Sequence, residues 1–140
     1  MRSREDVIQD FVQQWLVKAE GDLAAAEILA TSEMRDYSTC AFHCQQATEK
    51  FLKAYLVRHQ IEFRKTHDLD QLLGLVGQAE PDLQEALASC EWLTPFGVEF
   101  RYPGADPEVD QAMAQEALLE ARRVRDVVTQ RLGSSLRGRE

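Results

Sequence analysis

The chain has 140 residues, 44% of them hydrophobic and 29% charged, a composition typical of one globular domain with a real core. Its net charge of −8 disfavours a broad nucleic-acid-binding surface, so we expect no nucleic-acid partner. No apolar run approaches the ~20 residues that cross a bilayer, and the N-terminus lacks a secretory signal core, so we expect no membrane association.

Apolar residues at three- and four-residue steps predict two long helices, over residues 6–31 and 35–60. The apolar stripe of the first helix comprises Ile8, Phe11, Val12, Trp15, Leu16, Ala19, Leu23, Ala26 and Ala30. In the second helix Gln45 points with the apolar residues, where an amide must be hydrogen-bonded. Gln46, Glu49, Lys50 and Lys53 lie on the other side. Its two ammonium groups, about one turn apart, suit a phosphate or a partner's carboxylates.

Three further helices are predicted. Thr66 or Asp68 caps a short helix that Gly77 ends, a fourth helix starts near Pro81, and the last runs from residues 106–108 to 132. Nothing alternates with a period of two, so we predict no sheet. The fold class is therefore all-α, an up-and-down bundle of about five helices in a single domain over residues 1–132. Residues 133–140 are predicted to form a flexible C-terminal tail.

Two connections contain residues suited to a ligand. Residues 94–107 form a predicted long loop in which Arg101 can hold a phosphate in a fork and Tyr102 can stack on a base. The alternative is a loop anchor, with Tyr102 packed on the bundle and Arg101 on a helix end. At the third helix, Lys65 and His67 stand where backbone N–H groups favour anions. The alternative there is a plain capping turn.

Two other groups of residues favour structural interpretations. Cys40, His43 and Cys44 lie within about one helical turn, but His43 points away and a fourth ligand is lacking, so we expect no metal site. The three cysteines have no framework spacing and are typical of reduced thiols in a cytoplasmic protein. The last helix contains four arginines that suit its own negative end, namely Arg122, Arg123, Arg125 and Arg131.

Five short segments occur in order along the chain, namely residues 19–23 (AEGDL), 45–50 (QQATEK), 53–54 (KA), 66–69 (THDL) and 101–103 (RYP). In their order and spacing these segments resemble the HEPN domain family (higher eukaryotes and prokaryotes nucleotide-binding). The resemblance covers nearly the whole chain.

The resemblance implies an all-α bundle of about five helices, a homodimer, and in many cases a neighbouring small nucleotidyltransferase. Some branches of the family are ribonucleases that act as toxins and use an Arg followed four to six residues later by His. This chain departs from that motif. Seven residues separate Arg35 from His43, two separate Arg64 from His67, and no histidine follows Arg101.

From these observations we predict a cytoplasmic, homodimeric, nucleotide-binding module without catalytic residues, cofactor or metal. The predicted nucleotide-binding residues are Gln46, Lys50, Lys53, Lys65, His67, Arg101 and Tyr102. The alternative function is a protein-interaction partner of a small nucleotidyltransferase, as in a toxin–antitoxin pair. A weaker alternative is a metal-independent ribonuclease, which the absent motif disfavours.

Overall fold

The computed structural model describes residues 2–97 and 108–137, with side chains up to residue 133. Within these residues every regular element is helical, which confirms the predicted all-α class. None of these helices combines the length and the apolar character that crossing a membrane requires. The elements are α1 (Arg4–Thr31), α2 (Ser38–Arg58), α3 (Leu69–Ala79), α4 (Pro81–Leu87), a 3-10 helix (Ala88–Gly97) and α5 (Gln111–Arg137).

Short polar side chains set where three of the helices begin. The Ser3 hydroxyl accepts a hydrogen bond from Asp6 N at 3.1 Å, and Ser3 N donates to the Asp6 carboxylate at 3.4 Å, which is a capping box for α1. Asp68 caps α3 by accepting from Asp70 N at 3.0 Å. Asp110 accepts from Met113 N at 2.8 Å in front of α5. These caps satisfy N–H groups that have no partner inside the helix.

Several boundaries differ from the sequence-based expectation. The fourth helix tightens into the 3-10 helix, so residues 94–97, which the sequence places in the long loop, are helical with Pro95 inside. Helix α5 starts at Gln111, after the Asp110 cap, and not at residues 106–108. It extends to Arg137, beyond the predicted end at residue 132, and α3 passes Gly77 to end at Ala79. The remaining loop residues 98–107 lie outside the described residues.

Helix α2 lies at the centre of the bundle. Its most extensive contacts are with α1, followed by those with α5 and the 3-10 helix. Phe51, Leu52 and Tyr55 are fully buried in the core. The same helix also buries polar and charged side chains, namely Gln45, Thr48, Glu49, Lys53 and Arg58. Because buried polar groups need partners, these side chains mark where the core contains a polar network.

The predicted apolar stripe of α1 is only partly buried. Val12, Ala19 and Leu23 are at most 2% exposed, whereas Phe11 is 51% exposed. The apolar stripe is wider than the surface by which α1 contacts the rest of the bundle. Phe11 therefore lies at the edge of that contact surface and is half exposed. On the outer face of α1, Val17 and Ile28 are 68% and 67% exposed. Helix α1 therefore presents apolar groups to solvent as well as to the core.

Candidate functional site

A polar network surrounds the buried carboxylate of Glu49. Glu49 is 3% exposed. Its Oε2 accepts from Lys53 Nζ at 2.8 Å, and its Oε1 lies 2.8 Å from His67 Nδ1 and accepts from Gln45 Nε2 at 3.2 Å. The Lys53 ammonium neutralises the buried charge, while His67 and Gln45 occupy the other oxygen. The carboxylate is thus fully partnered, as burial of a charge requires.

The Gln45 amide connects the members of this network by three hydrogen bonds. Gln45 is fully buried, as its helical direction predicted, and its Nε2 also donates to the backbone oxygen of His67 at 3.1 Å. Its Oε1 accepts from Gln46 Nε2 at 2.7 Å. Gln45 therefore holds the backbone of His67, while Glu49 holds its ring. The predicted site residues Gln46, Lys53 and His67 are brought together by these bonds.

Gly97 presses directly on the Gln45 amide. A Cβ atom at Gly97 would lie 2.7 Å from Gln45 Cδ and 2.8 Å from Gln45 Oε1. Because three hydrogen bonds fix this amide, it cannot move aside without losing partners. Glycine at position 97 is therefore a packing requirement of the network.

We expect Gly97→Ala to lower the free energy of unfolding by about 1–3 kcal/mol, because it overpacks the network. The matched control is Gly74→Ala at an exposed position of α3, where an added Cβ meets nothing within 4 Å. That change should stabilise the protein by roughly 0.5–1 kcal/mol through helix propensity. Urea denaturation measures both variants, and equal effects would contradict the close contact at Gly97.

Lys53 lies behind aromatic rings and does not face solvent. Its side chain is 7% exposed, and Nζ lies 5.4 Å from the centroid of the Trp15 ring and 5.6 Å from that of Phe63. The two rings contact each other edge to face with centroids 6.1 Å apart. Cation–π attraction and the ion pair to Glu49 both favour this position. The predicted phosphate ligand Lys53 is thus engaged inside the protein.

A second carboxylate is shared by a histidine and a lysine. Asp22 of α1 binds Lys50 Nζ with one oxygen and lies 2.9 Å from His43 Nδ1 with the other. The three side chains are between 14% and 27% exposed. Lys50, predicted as a phosphate ligand, therefore lies at the surface in an ion pair with Asp22.

The turn before α3 is built differently from a simple anion site. Asp68 N donates to Thr66 Oγ1 at 3.1 Å, and Leu69 N donates to Thr94 Oγ1 at 3.2 Å. Asp70 N likewise donates to the Asp68 side chain that caps α3. All three N–H groups therefore have partners inside the protein and are not available to a ligand. His67 is 47% exposed, and Lys65 is exposed without an ion pair or hydrogen bond to the described residues. The turn thus offers an imidazole and an ammonium group instead of backbone donors.

A groove between α1 and α2 lies next to Lys50. Its cavity volume is about 530 Å³, and its lining residues are Phe11, Gln14, Trp15, Lys18 and Lys50. Sequence reasoning missed Phe11, Gln14 and Lys18, and it assigned Phe11 and Trp15 to the core. A signal was available, because residues 11, 15, 18 and 22 recur at helical spacing and place aromatic and charged groups on one side of α1.

The predicted site residues therefore divide into groups. Gln46, Lys53 and His67 belong to the network around Glu49. Lys50 contacts Asp22, which also contacts His43, and Lys50 lines the groove. Lys65 lies two residues from His67. Arg101 and Tyr102 lie outside the described residues.

The arginines of α5 connect helices. Arg122 pairs with Glu27 of α1 at 3.3 Å, Arg123 donates to the backbone oxygen of Ala86 at 2.7 Å, and Arg131 pairs with Glu80 at 2.5 Å. The sequence-based expectation is that they serve the dipole of their own helix. In the structure Arg122, Arg123 and Arg131 bind partners on other elements, whereas Arg125 pairs with Asp126 of its own helix at 2.9 Å.

The cysteines are buried free thiols. Burial raises the pKa of Cys90 to about 12, and the hydrogen bond with Cys40 together with burial raises the pKa of Cys44. The Cys44 and Cys90 thiols therefore stay protonated and are poor nucleophiles and metal ligands, whereas the hydrogen bond with Cys44 lowers the pKa of the buried Cys40 thiol. Among the described residues, no three His, Cys, Asp or Glu side chains are grouped so that they could hold a metal ion.

Comparison with known proteins agrees with this architecture. The family model of the HEPN domain matches residues 12–132 of this chain, a range that begins within α1 and ends within α5. A comparison with curated proteins gives no match. The fold is similar to that in the crystal structure of TT1696 from Thermus thermophilus, with a TM-score of 0.69 and 27% sequence identity, covering 85% of this chain and 96% of that one. The resemblance seen in the sequence is thereby confirmed, and the chain belongs to the HEPN domain family.

Proposed function

We propose that this protein is a non-catalytic nucleotide-binding module whose ligand occupies the groove between α1 and α2. The observation that carries the proposal is the meeting of two aromatic rings and two ammonium groups at one concave surface, lined by Phe11, Trp15, Lys18 and Lys50. Its volume of about 530 Å³ falls in the range of small-molecule sites.

The chemistry of the groove suits both ends of a nucleotide. The half-exposed ring of Phe11 offers a face on which a base can stack. Lys18 is exposed and has no described ion pair, so its charge is available for a phosphate. Lys50 adds a second ammonium group, whose charge Asp22 partly compensates. Arg101 and Tyr102 remain proposed contributors from the loop.

Loss of a groove lysine is expected to weaken nucleotide binding by roughly 1.5–3 kcal/mol, or about tenfold or more, because a charge-assisted phosphate contact disappears. We expect this for Lys18→Ala and Lys50→Ala, and also for Arg101→Ala. Isothermal titration with ATP, GTP and their monophosphates measures the effect.

The matched control is Arg122→Ala, which removes a similar charge that is engaged with Glu27 and does not line the groove. Its effect on affinity should be small. If Arg122→Ala loses affinity and the lysine variants do not, the site lies elsewhere. If no nucleotide binds the unmodified protein at millimolar concentration, the nucleotide proposal fails and the protein-partner alternative replaces it.

A second candidate function is protein association through the outer face of α1. Val17 and Ile28 are 68% and 67% exposed there, and Gly21 and Ala24 between them are exposed small residues that permit close approach. Exposed apolar groups on one helix face favour a contact with another chain. We propose that this face supports a homodimer, and that a nucleotidyltransferase is an alternative partner for it.

The dimer should be measurable by light scattering on a sizing column at micromolar concentration. We expect the mass of two chains for the unmodified protein and of one chain for the double variant Val17→Glu, Ile28→Glu. The control is Leu119→Glu, which changes a 63% exposed residue of α5 and should leave the dimer intact. A single-chain mass for the unmodified protein would remove this proposal.

The ribonuclease alternative has less support than either. His43 and His67, which each contact a carboxylate, lack an arginine at the family's spacing. A cytoplasmic location is part of the proposal, and the free buried thiols agree with it.

A further inference from the structure

A second concave surface lies between the start of α3 and the 3-10 helix. Its cavity volume is about 520 Å³, and its lining residues include Asp68, Ser89, Glu91, Trp92 and Thr94. This cavity shares no lining residue with the groove between α1 and α2. The nucleotide proposal therefore leaves the second cavity without a ligand.

One wall of this cavity is the indole ring of Trp92. Trp92 is 39% exposed, and its ring packs edge to face against that of Phe96, with centroids 5.6 Å apart and an angle of 85° between the planes. Phe96 itself is only 3% exposed, so a buried ring supports the indole while part of its surface remains accessible to solvent. Among aromatic side chains, the indole attracts cations most strongly.

The charged groups that line the cavity are acidic. Among the described lining residues they are Asp68 and Glu91, and neither forms an ion pair with a described residue. Glu91 is exposed and has no hydrogen bond to the part of the chain that the structure describes. Asp68 uses its Oδ1 to accept from Asp70 N at 3.0 Å, which leaves its other carboxylate oxygen for a second donor. The cavity thus offers carboxylate acceptors beside an aromatic ring.

The cation that contacts the cavity wall is already neutralised inside the protein. Arg123 of α5 donates to Ser89 Oγ at 2.6 Å and to Glu120 Oε2 at 2.8 Å. Its charge is therefore paired with Glu120 and does not offset the two carboxylates of the cavity. The net charge of −8 adds to a potential that attracts positive ligands. Hard metal ions take six or more oxygen ligands, and two carboxylates beside an indole suit an organic cation better.

We propose that this cavity binds a small organic cation of the guanidinium class. A planar guanidinium stacks on an aromatic ring and donates several N–H groups to carboxylates, whereas an ammonium group is more strongly hydrated. The Trp92 indole is the stacking surface, and the carboxylates of Asp68 and Glu91 are the acceptors. This inference does not depend on the proposed nucleotide-binding function, because the two surfaces are separate.

Isothermal titration of the unmodified protein with butylguanidine tests this proposal. Butylguanidine should bind in the millimolar range, with an affinity that falls as salt is added, and butylamine should bind more weakly. Glu91→Gln should weaken the binding of butylguanidine about tenfold, because a charge-assisted hydrogen bond loses its anionic acceptor. Asp68→Asn should have the same effect, and it preserves the start of α3 because asparagine is also a good cap.

The matched control is Glu85→Gln, which removes one negative charge from an exposed residue of α4 that does not line the cavity. Its affinity should equal that of the unmodified protein. If Glu85→Gln weakened binding as much as Glu91→Gln, the ligand would respond to overall charge and the assigned site would be wrong. Absence of butylguanidine binding at tens of millimolar, or equal binding of butylamine, would also overturn the proposal.

Fluorescence locates the bound cation independently. The chain has two tryptophans, so Trp92 is the only one that remains in the variant Trp15→Phe. Butylguanidine should change the emission of Trp92 in this variant over the same concentration range as the titration. Binding by titration without a change in that emission would place the cation away from Trp92 and contradict the inference.

Discussion

Replacing Lys53 by methionine is expected to lower the free energy of unfolding by roughly 3–5 kcal/mol, since it leaves a buried carboxylate without its counter-charge. Methionine keeps the apolar stem against Trp15 and Phe63, so the variant isolates the loss of the ammonium group. Glu49 would retain its bond to His67, which favours the lower half of that range. Urea denaturation gives the free energy directly.

The control is Lys50→Met, which removes an ammonium group from the same helix one turn away. Lys50 and its partner Asp22 are 21% and 14% exposed, and His43 still contacts Asp22 after the change. Water reaches this pair, so its loss should cost only about 1 kcal/mol. If the two variants were equally stable, Lys53 would not neutralise Glu49 in the folded protein.

Gln45→Leu is expected to destabilise the protein by about 1–3 kcal/mol, because it leaves buried polar partners unpaired. The lost bonds join Gln45 to Glu49, to the His67 backbone oxygen and to Gln46. Leucine is similar in size, so the loss reflects hydrogen bonding more than volume.

The matched change is Gln46→Leu, which removes an amide that is partly exposed and bonds only to Gln45 among the described residues. It leaves only Gln45 Oε1 without its partner, so it should lower the melting temperature less than Gln45→Leu, which breaks three hydrogen bonds. An unchanged melting temperature for Gln45→Leu would mean that the network contributes nothing to stability. Affinity for nucleotide should fall in neither variant beyond the loss caused by unfolding, since neither side chain lines the groove.

The number and order of the helices, and the direction of Gln45, could be predicted from the sequence because these features are local. A helix turns by 100° per residue, so spacing alone places Gln45 with Leu52 and Tyr55 on the buried side of α2. Capping residues such as Asp68 act within a few positions of the helix they start. The family resemblance has the same origin, since its short segments occur in a fixed order along the chain.

Boundaries near residues 88–97 and 108–111 were harder to predict. The turn from α4 into a 3-10 helix brings Gly97 against Gln45, a contact between residues far apart in the sequence. Helix propensity cannot predict such a contact, and tertiary packing commonly overrides helix propensity. The same holds for Phe11, whose place at the edge of the apolar stripe depends on how far α2 covers α1.

The sequence by itself determined the helical class, the buried amide of Gln45 and the set of polar residues from which a site can form. Only the tertiary structure decided how those residues are used. The partners of Lys50 and His67 lie 28 and 18 residues away in the chain, on elements whose approach no spacing rule predicts. Because a buried carboxylate must be neutralised by whatever cation the fold brings to it, Lys53 is directed inward to Glu49, whereas Lys18 and Lys50 remain at the surface.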